Sequence, residues 1–211
     1  YTGCSGNGLA FSSTVHNPLA ISQSFPMTMI GTHSDKCWGY GGTYNYRADI
    51  TSIFTGNGNY NVSGIPTSPP LSGNDMDGAS IIVVYRDLTQ TYTGHIVIGD
   101  GCLVGIGAQQ NNNLTGWSAC AASTFANAFM IVSDLQNVGN ASCWMNSTAA
   151  AANFSYPAAS QDWWDNIIMA GSPAITAGQS SAGFGFVSGG DCFNIVVEGL
   201  YYRTNCNACT I

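Results

Sequence analysis

Charge is what this chain has least of. Of its 211 residues only 4 are Lys or Arg and 11 are Asp or Glu, so 7% are charged, against roughly 25% in an ordinary soluble domain. The four basic residues, Lys36, Arg47, Arg86 and Arg203, stand singly along the chain. A phosphate backbone or an anionic lipid surface is gripped by clustered cations, so nucleic acid and polybasic membrane attachment are excluded as partners. No apolar run approaches the roughly 20 residues a spanning helix requires, and no membrane span is expected. Catalytic signatures are missing as well. His16, His33 and His95 are isolated from one another, and Gly116-Trp117-Ser118-Ala119-Cys120 lacks the final Gly of a nucleophile elbow. We expect no enzyme and no cofactor.

What fills the space left by charge is apolar and small. Hydrophobic residues make up 45% of the chain and aromatics 11%, with 26 Gly. Gly, Asn, Ser, Thr and Ala must therefore supply a polar but nearly uncharged exterior. The formal net charge of −7 and the pI of 4.3 come from few groups spread thinly. Since charge is what keeps copies of a soluble protein apart, association of identical subunits is the expected partnership.

Cys4, Cys37, Cys102, Cys120, Cys143, Cys192, Cys206 and Cys209 give an even number of cysteines spread over the whole length. That pattern favours disulfides formed in an oxidising compartment, with pairing not readable from spacing. The chain opens at Tyr1 with no signal-like segment, which we read as a mature exported chain. Cys206 and Cys209 form a Cys-x-x-Cys pair, but Thr210 stands where c-type haem attachment needs His. His33 and Cys37 could supply half of a zinc site, yet no second pair has ligand spacing. Asn74, Asp75 and Asp77 have the oxygens of a calcium loop without the spacing and distant Glu of an EF-hand. A plain turn is favoured there, and no metal is expected.

Periodicity reads as strands nearly throughout. Leu19, Ile21, Phe25, Met27 and Met29 alternate with small and polar residues, with only Gln23 interrupting. This is a strand with one greasy face, which Pro18 and Pro26 confine to a sheet edge. It either edges its own sandwich or is lent to a neighbouring subunit as a donor strand. Further strands are expected over 44–54 and from Tyr60, joined by a Gly56-Asn57-Gly58-Asn59 hairpin connection. Ser80 to Tyr85 is the most β-prone run, apolar on both faces, and is expected to be a buried central strand. Residues 91–98 should follow, closed by Gly99-Asp100-Gly101, then a polar loop over 109–115 and strands over 125–133, 182–188 and 192–202. Ala149 to Ala152 is helix-prone, and 161–169 could be helical turn or edge strand.

Several of these segments resemble a family of secreted prokaryotic cell-surface domains of unassigned function. The residues concerned are Arg47-Ala48-Asp49-Ile50-Thr51, the hairpin from Gly56-Asn57-Gly58 to Val62-Ser63-Gly64, Asp77 to Tyr85, and Asp191-Cys192-Phe193. The resemblance is most specific over residues 44–100. It implies an extracellular, sandwich-like module with a structural or adhesive role, and supplies no catalytic residues.

Five unblocked sequons, at Asn61, Asn113, Asn140, Asn146 and Asn153, are candidate glycosylation sites. A glycan coat would provide the solvation that charge does not. Trp163-Trp164 between Asp162 and Asp165 could form a sugar platform, although paired Trp more commonly belong to a core. The expectation is an all-β, antiparallel, jelly-roll-like β-sandwich stapled by disulfides, with an N-terminal segment over 1–30 and a single domain over 31–211. It is read as a structural subunit of an extracellular assembly, a filament or surface layer, joined through its N-terminal strand. The alternative is an adhesin or carbohydrate-binding module that binds surface glycans. Removing residues 1–30 is expected to abolish assembly and leave a soluble globule.

Overall fold

A computed structural model describes residues 2–5, 8–34, 37, 39–66, 75–107, 110–135, 140–146, 153–157, 164–169 and 174–206. The fold is all-β, with antiparallel strands throughout the described ladders. The chain divides into two compact units, Tyr1–Ile81 and Ile82–Ile211.

The first unit holds strands β1 (Thr2–Ser5), β2 (Ser12–His16), β3 (Ser22–Pro26), β4 (Thr28–His33), β5 (Thr43–Arg47), β6 (Asn61–Ser63) and β7 (Asp75–Ala79). One sheet has the order β4-β5-β1-β7 and the other β3-β2-β6. A small core of Val15, Phe25 and Ile53, with Ala48, Ile50 and Tyr60 against it, forms beside the second sheet. Asn17 builds the β2–β3 turn. Its Oδ1 accepts from the backbone N–H of Leu19 and of Ile21, both at 3.0 Å, while Nδ2 donates to the Ile53 carbonyl at 3.1 Å. This is the side-chain mimicry of backbone that makes Asn a turn residue.

The regular alternation over residues 19–29 is not one strand. The Asn17 turn takes Leu19 and Ala20 out of the ladder, Ala20 adopting φ 59°. Met27 then separates β3 from β4, which sit in different sheets. Phe25 enters the core, whereas Leu19, Ile21 and Met29 are exposed. Residues 44–54 also break early. After β5, Thr51–Ile53 forms a 3-10 turn, with Asp49 Oδ1 accepting from Thr51 N at 2.9 Å and Oγ1 at 2.6 Å. The strand after the glycine-rich connection pairs with β2 rather than with β5.

The second unit has eight strands: β8 (Thr93–Ile106), β9 (Gln110–Leu114), β10 (Phe125–Ser133), β11 (Asn140–Met145), β12 (Asn153–Pro157), β13 (Trp164–Ile168), β14 (Ala182–Val187) and β15 (Cys192–Thr204). They form two four-stranded sheets, β13-β10-β15-β8 and β12-β11-β14-β9. This order, with all chain neighbours but β11 and β12 divided between the sheets, is that of an eight-stranded jelly roll. Between the sheets lie Ala126, Ala128, Met130 and Val132 of β10, Phe184 and Phe186 of β14, and Phe193, Leu200 and Tyr202 of β15, with Leu135 and Ile175 from loops. Phe186 and Phe193, from opposite sheets, meet at 4.7 Å between ring centroids. Each such fully buried side chain contributes about 1.5–3 kcal/mol of transfer free energy.

The strand buried on both faces is β15, not the run after Asp77. Every residue from Cys192 to Leu200 on β15 is buried, between β10 on one side and β8 on the other. Gly99-Asp100-Gly101 does not close a strand. It lies inside β8, where a register shift opposite Ile195–Val197 absorbs it, as a β-bulge does. The polar stretch expected to be a loop is β9, an edge strand whose ladder partner is β14, and an edge tolerates Asn because one face stays wet. The helix-prone run at Ala149 to Ala152 lies outside the described residues.

Disulfides are present, and they imply an oxidising environment. Cys120 and Cys206 are joined with Cα atoms 6.3 Å apart across 86 residues of sequence. On the chain-entropy account a loop of that length contributes roughly 4–5 kcal/mol. Cys37 and Cys192 are also disulfide-bonded. Cys102 and Cys143 are a correction to the expectation, since both keep their thiols. They sit in different sheets of the jelly roll, Cys143 fully inside the core, and burial pushes the Cys143 thiol up to about 11 and the Cys102 thiol to about 12. Neither is an activated nucleophile. The side chain of Cys4 and all of Cys209 lie outside the described residues.

Candidate functional site

The run expected at the centre of the fold is on the surface. Beyond β7, itself an edge strand, residues 80–86 belong to no strand. Ile81 is 39% exposed, Val83 43%, Val84 60% and Tyr85 80%, and Leu88 beyond them 78%. Among the described residues, none bonds to the backbone of residues 81–86. The sequence thus places five successive β-prone apolar residues, unpaired, where one unit ends and the next begins. At Asp87 the chain turns, the carboxylate accepting from Thr89 N, Thr89 Oγ1 and Gln90 Nε2 at 2.7–2.9 Å, bonds that hold its pKa below the usual value.

The first unit adds open sheet edges to this. Among the described residues, β3 and β4 carry ladders on one side only, and they follow each other directly in sequence. Residues 22–33 therefore border both sheets of the unit in turn. Of the donor-strand candidates, Phe25 is committed to the unit's own core, Met27 is half-buried between the two strands, and Leu19, Ile21 and Met29 remain on the surface. Residues 1–30 contribute β1, β2 and β3, with Val15 and Phe25 of the core.

His16 Nδ1 meets Ser22 Oγ at 2.6 Å across the β2–β3 ladder, in the open and with no carboxylate behind it among the described residues. His95 Nε2 lies 3.0 Å from Thr204 Oγ1 and its ring stacks on Tyr202 at 4.7 Å. Burial pushes the His95 pKa down. Thr204 is fully buried beside Cys206 Sγ, 3.3 Å away, so its hydroxyl faces a disulfide rather than a substrate. Glu198 gave no signal in the sequence beyond being an acid within an apolar run. It is 3% exposed on β15. Oε2 accepts from Asn112 Nδ2 at 2.7 Å, while Oε1 is buried without a partner among the described residues. Desolvation pushes this carboxyl up, with the Asn112 bond opposing.

The remaining expected sites scatter. Asp77 is half-buried on β7, Asp75 lies on the same strand, and Asn74 is outside the described residues. Among the described residues no group of three His, Cys, Asp or Glu could hold a metal. Asn61 and Asn113 are exposed on β6 and β9. Asn146 is half-buried at φ 52°, and its Oδ1 accepts from Gly183 N at 3.1 Å. Asn140 and Asn153 belong to β11 and β12, side chains not described. Trp163 and Asp162 lie outside the described residues. Trp164 is half-buried on β13, and Asp165 is turned inward at 6% exposure, so this Asp does not edge a platform.

No protein-family model and no curated protein matches the chain. Among solved structures, it is similar to a β-porphyranase of glycoside hydrolase family 86 from the human gut bacterium Bacteroides plebeius, at a TM-score of 0.35 and 9% identity over 99% of this chain and 30% of that one. Dimeric latent PorU from Porphyromonas gingivalis gives 0.36 and 8% over 96% and 23%. The infectious bursal disease virus Gx strain structure gives 0.30 and 11% over 98% and 58%. At these scores the likenesses assign no family.

Proposed function

We propose that this protein is a structural subunit of an extracellular assembly, a filament or surface layer, whose contacts are made between identical copies. The observation that carries the reading is the run Ile81–Tyr85, exposed except at half-buried Ile82 and, among the described residues, unpaired. β-Branched residues on both faces of an extended segment gain stability only when a strand pairs at the edge and side chains cover each face. A second copy offers what is needed, because among the described residues β3, β4 and β7 carry open edges in every subunit, and β-augmentation joins such partners through main-chain hydrogen bonds. The 7% charge content leaves little repulsion to oppose it. The lent strand is then residues 81–86 rather than residues 19–29, whose Phe25 is already committed to its own core.

The test is electron microscopy of the purified protein beside a Val83→Lys, Val84→Lys variant. We expect ordered polymers from the unaltered protein and dispersed particles from the variant, with unchanged circular dichroism, since both positions are exposed. Polymers of equal length from both would overturn the role of this run. A second reading, an adhesin or carbohydrate-binding module, is favoured by one feature, the aromatic outer face of the jelly roll.

A further inference from the structure

Along the end of β15, buried Leu200, Tyr202 and Thr204 alternate with half-exposed Tyr201 and Arg203, so the latter pair stands on the outer face of the sheet. The register sets Arg203 opposite Phe125 of β10 on one side and Gly94 of β8 on the other. Gly94 matters because a Cβ there would lie 3.1 Å from the Tyr201 ring; its absence lets that ring lie across β8. The Arg203 guanidinium carbon sits 4.2 Å from the centroid of the Tyr92 ring, 4.6 Å from that of Phe125 and 5.4 Å from that of Tyr201. Its Nε donates to Tyr201 Oη at 2.7 Å.

A guanidinium held in this way has lost most of its rotamer freedom before any ligand arrives. Among the described residues, no acceptor reaches its two terminal nitrogens. Asp87, the nearby acid that acts on Tyr92, has its carboxylate occupied by Thr89 and Gln90. Cation–π contact satisfies the ring-facing surfaces of an arginine but leaves its N–H fork unused, and that fork matches an oxyanion bidentately. Around it the Tyr92 and Tyr201 hydroxyls offer hydrogen bonds, and ring edges offer apolar contact, the mixture that a sugar ring with one polar rim and apolar C–H groups requires.

We propose that Arg203, clamped by Tyr92, Phe125 and Tyr201, is a binding site for an acidic saccharide, the fork taking the oxyanion and the tyrosines the adjoining sugar. One fixed cation in a molecule of net charge −7 suits one acidic group on a sugar better than a dense polyanion, which the remaining charge repels. The site is independent of the assembly reading.

Calorimetric titration at low salt with trigalacturonate, its methyl ester and a sulfated galactose oligosaccharide tests it. Binding of the acid but not the ester, weakened about tenfold or more in both Arg203→Lys and Arg203→Gln and unchanged in Arg86→Gln, is the expected result. The lysine variant keeps the charge and removes only the fork. Binding of the sulfated probe with the same dependence on Arg203 supports the site and names sulfate as the group. Failure of both acidic probes to bind the unaltered protein, or affinity retained in Arg203→Gln, would overturn it. Self-association should be the same in Arg203→Lys, which separates this outcome from that of the assembly test.

Discussion

Asn17 shows how much one side chain can hold. It is 5% exposed and satisfies two backbone N–H groups and the Ile53 carbonyl, so Asn17→Ala would leave buried polar groups unpaired. We expect a loss of about 2–3 kcal/mol, seen as a lower midpoint in denaturant unfolding; a shift within error would contradict the role given to it. Glu198 is the opposite case. Burial raises its pKa, so the folded state binds the proton more tightly than the unfolded one. Its contribution is therefore most favourable below the ordinary carboxyl pKa and is lost as pH rises through the raised folded value. Replacing it by Met removes the buried charge, while exposed Asn112 can turn to water. Glu198→Met should be more stable than the unaltered protein by about 1 kcal/mol at neutral pH, an advantage that shrinks on acidification. Thermal melting across pH checks both sign and slope.

Among the elements, β10 and β14 were legible in the sequence because alternation and length agree there. The strand over 125–133 was expected from its apolar residues, and Ala126, Ala128, Met130 and Val132 are the ones that face inside. Misreadings arose where local pattern competes with long-range pairing. Gly99-Asp100-Gly101 has turn chemistry, but thirteen-residue β15 offers a partner on both sides of it, and the bulge absorbs the extra residue. The run after Asp77 has the composition of a central strand, and composition cannot say whether the covering layers come from the same chain. The aromatic site was missed because Tyr92, Phe125, Tyr201 and Arg203 are brought together only by the register of three strands. Register also explains two glycines. A Cβ on Gly199 would fall 2.0 Å from the Phe129 ring, and one on Gly185 2.1 Å from Trp144, each glycine lying directly opposite its aromatic partner. Gly199→Ala should cost about 1–3 kcal/mol through this overpacking, measured by denaturant unfolding, whereas Gly101→Ala, with nothing within 4 Å, should cost much less.

For the whole molecule the account rests on an exterior that does not repel its own kind. The Cys120–Cys206 disulfide and a jelly-roll core stabilise the second unit from within, that bond tying the end of β15 to the loop before β10. Neither feature requires a substrate. Among the described residues, 81–86 belong to no ladder and the first unit has open sheet edges; on the proposed reading, copies of the chain supply the missing partners. Sedimentation velocity of the purified protein over a wide range of concentrations tests this most directly. The account predicts species that grow with concentration beyond the 22.0 kDa chain; one sharp boundary at that mass throughout the range would contradict it.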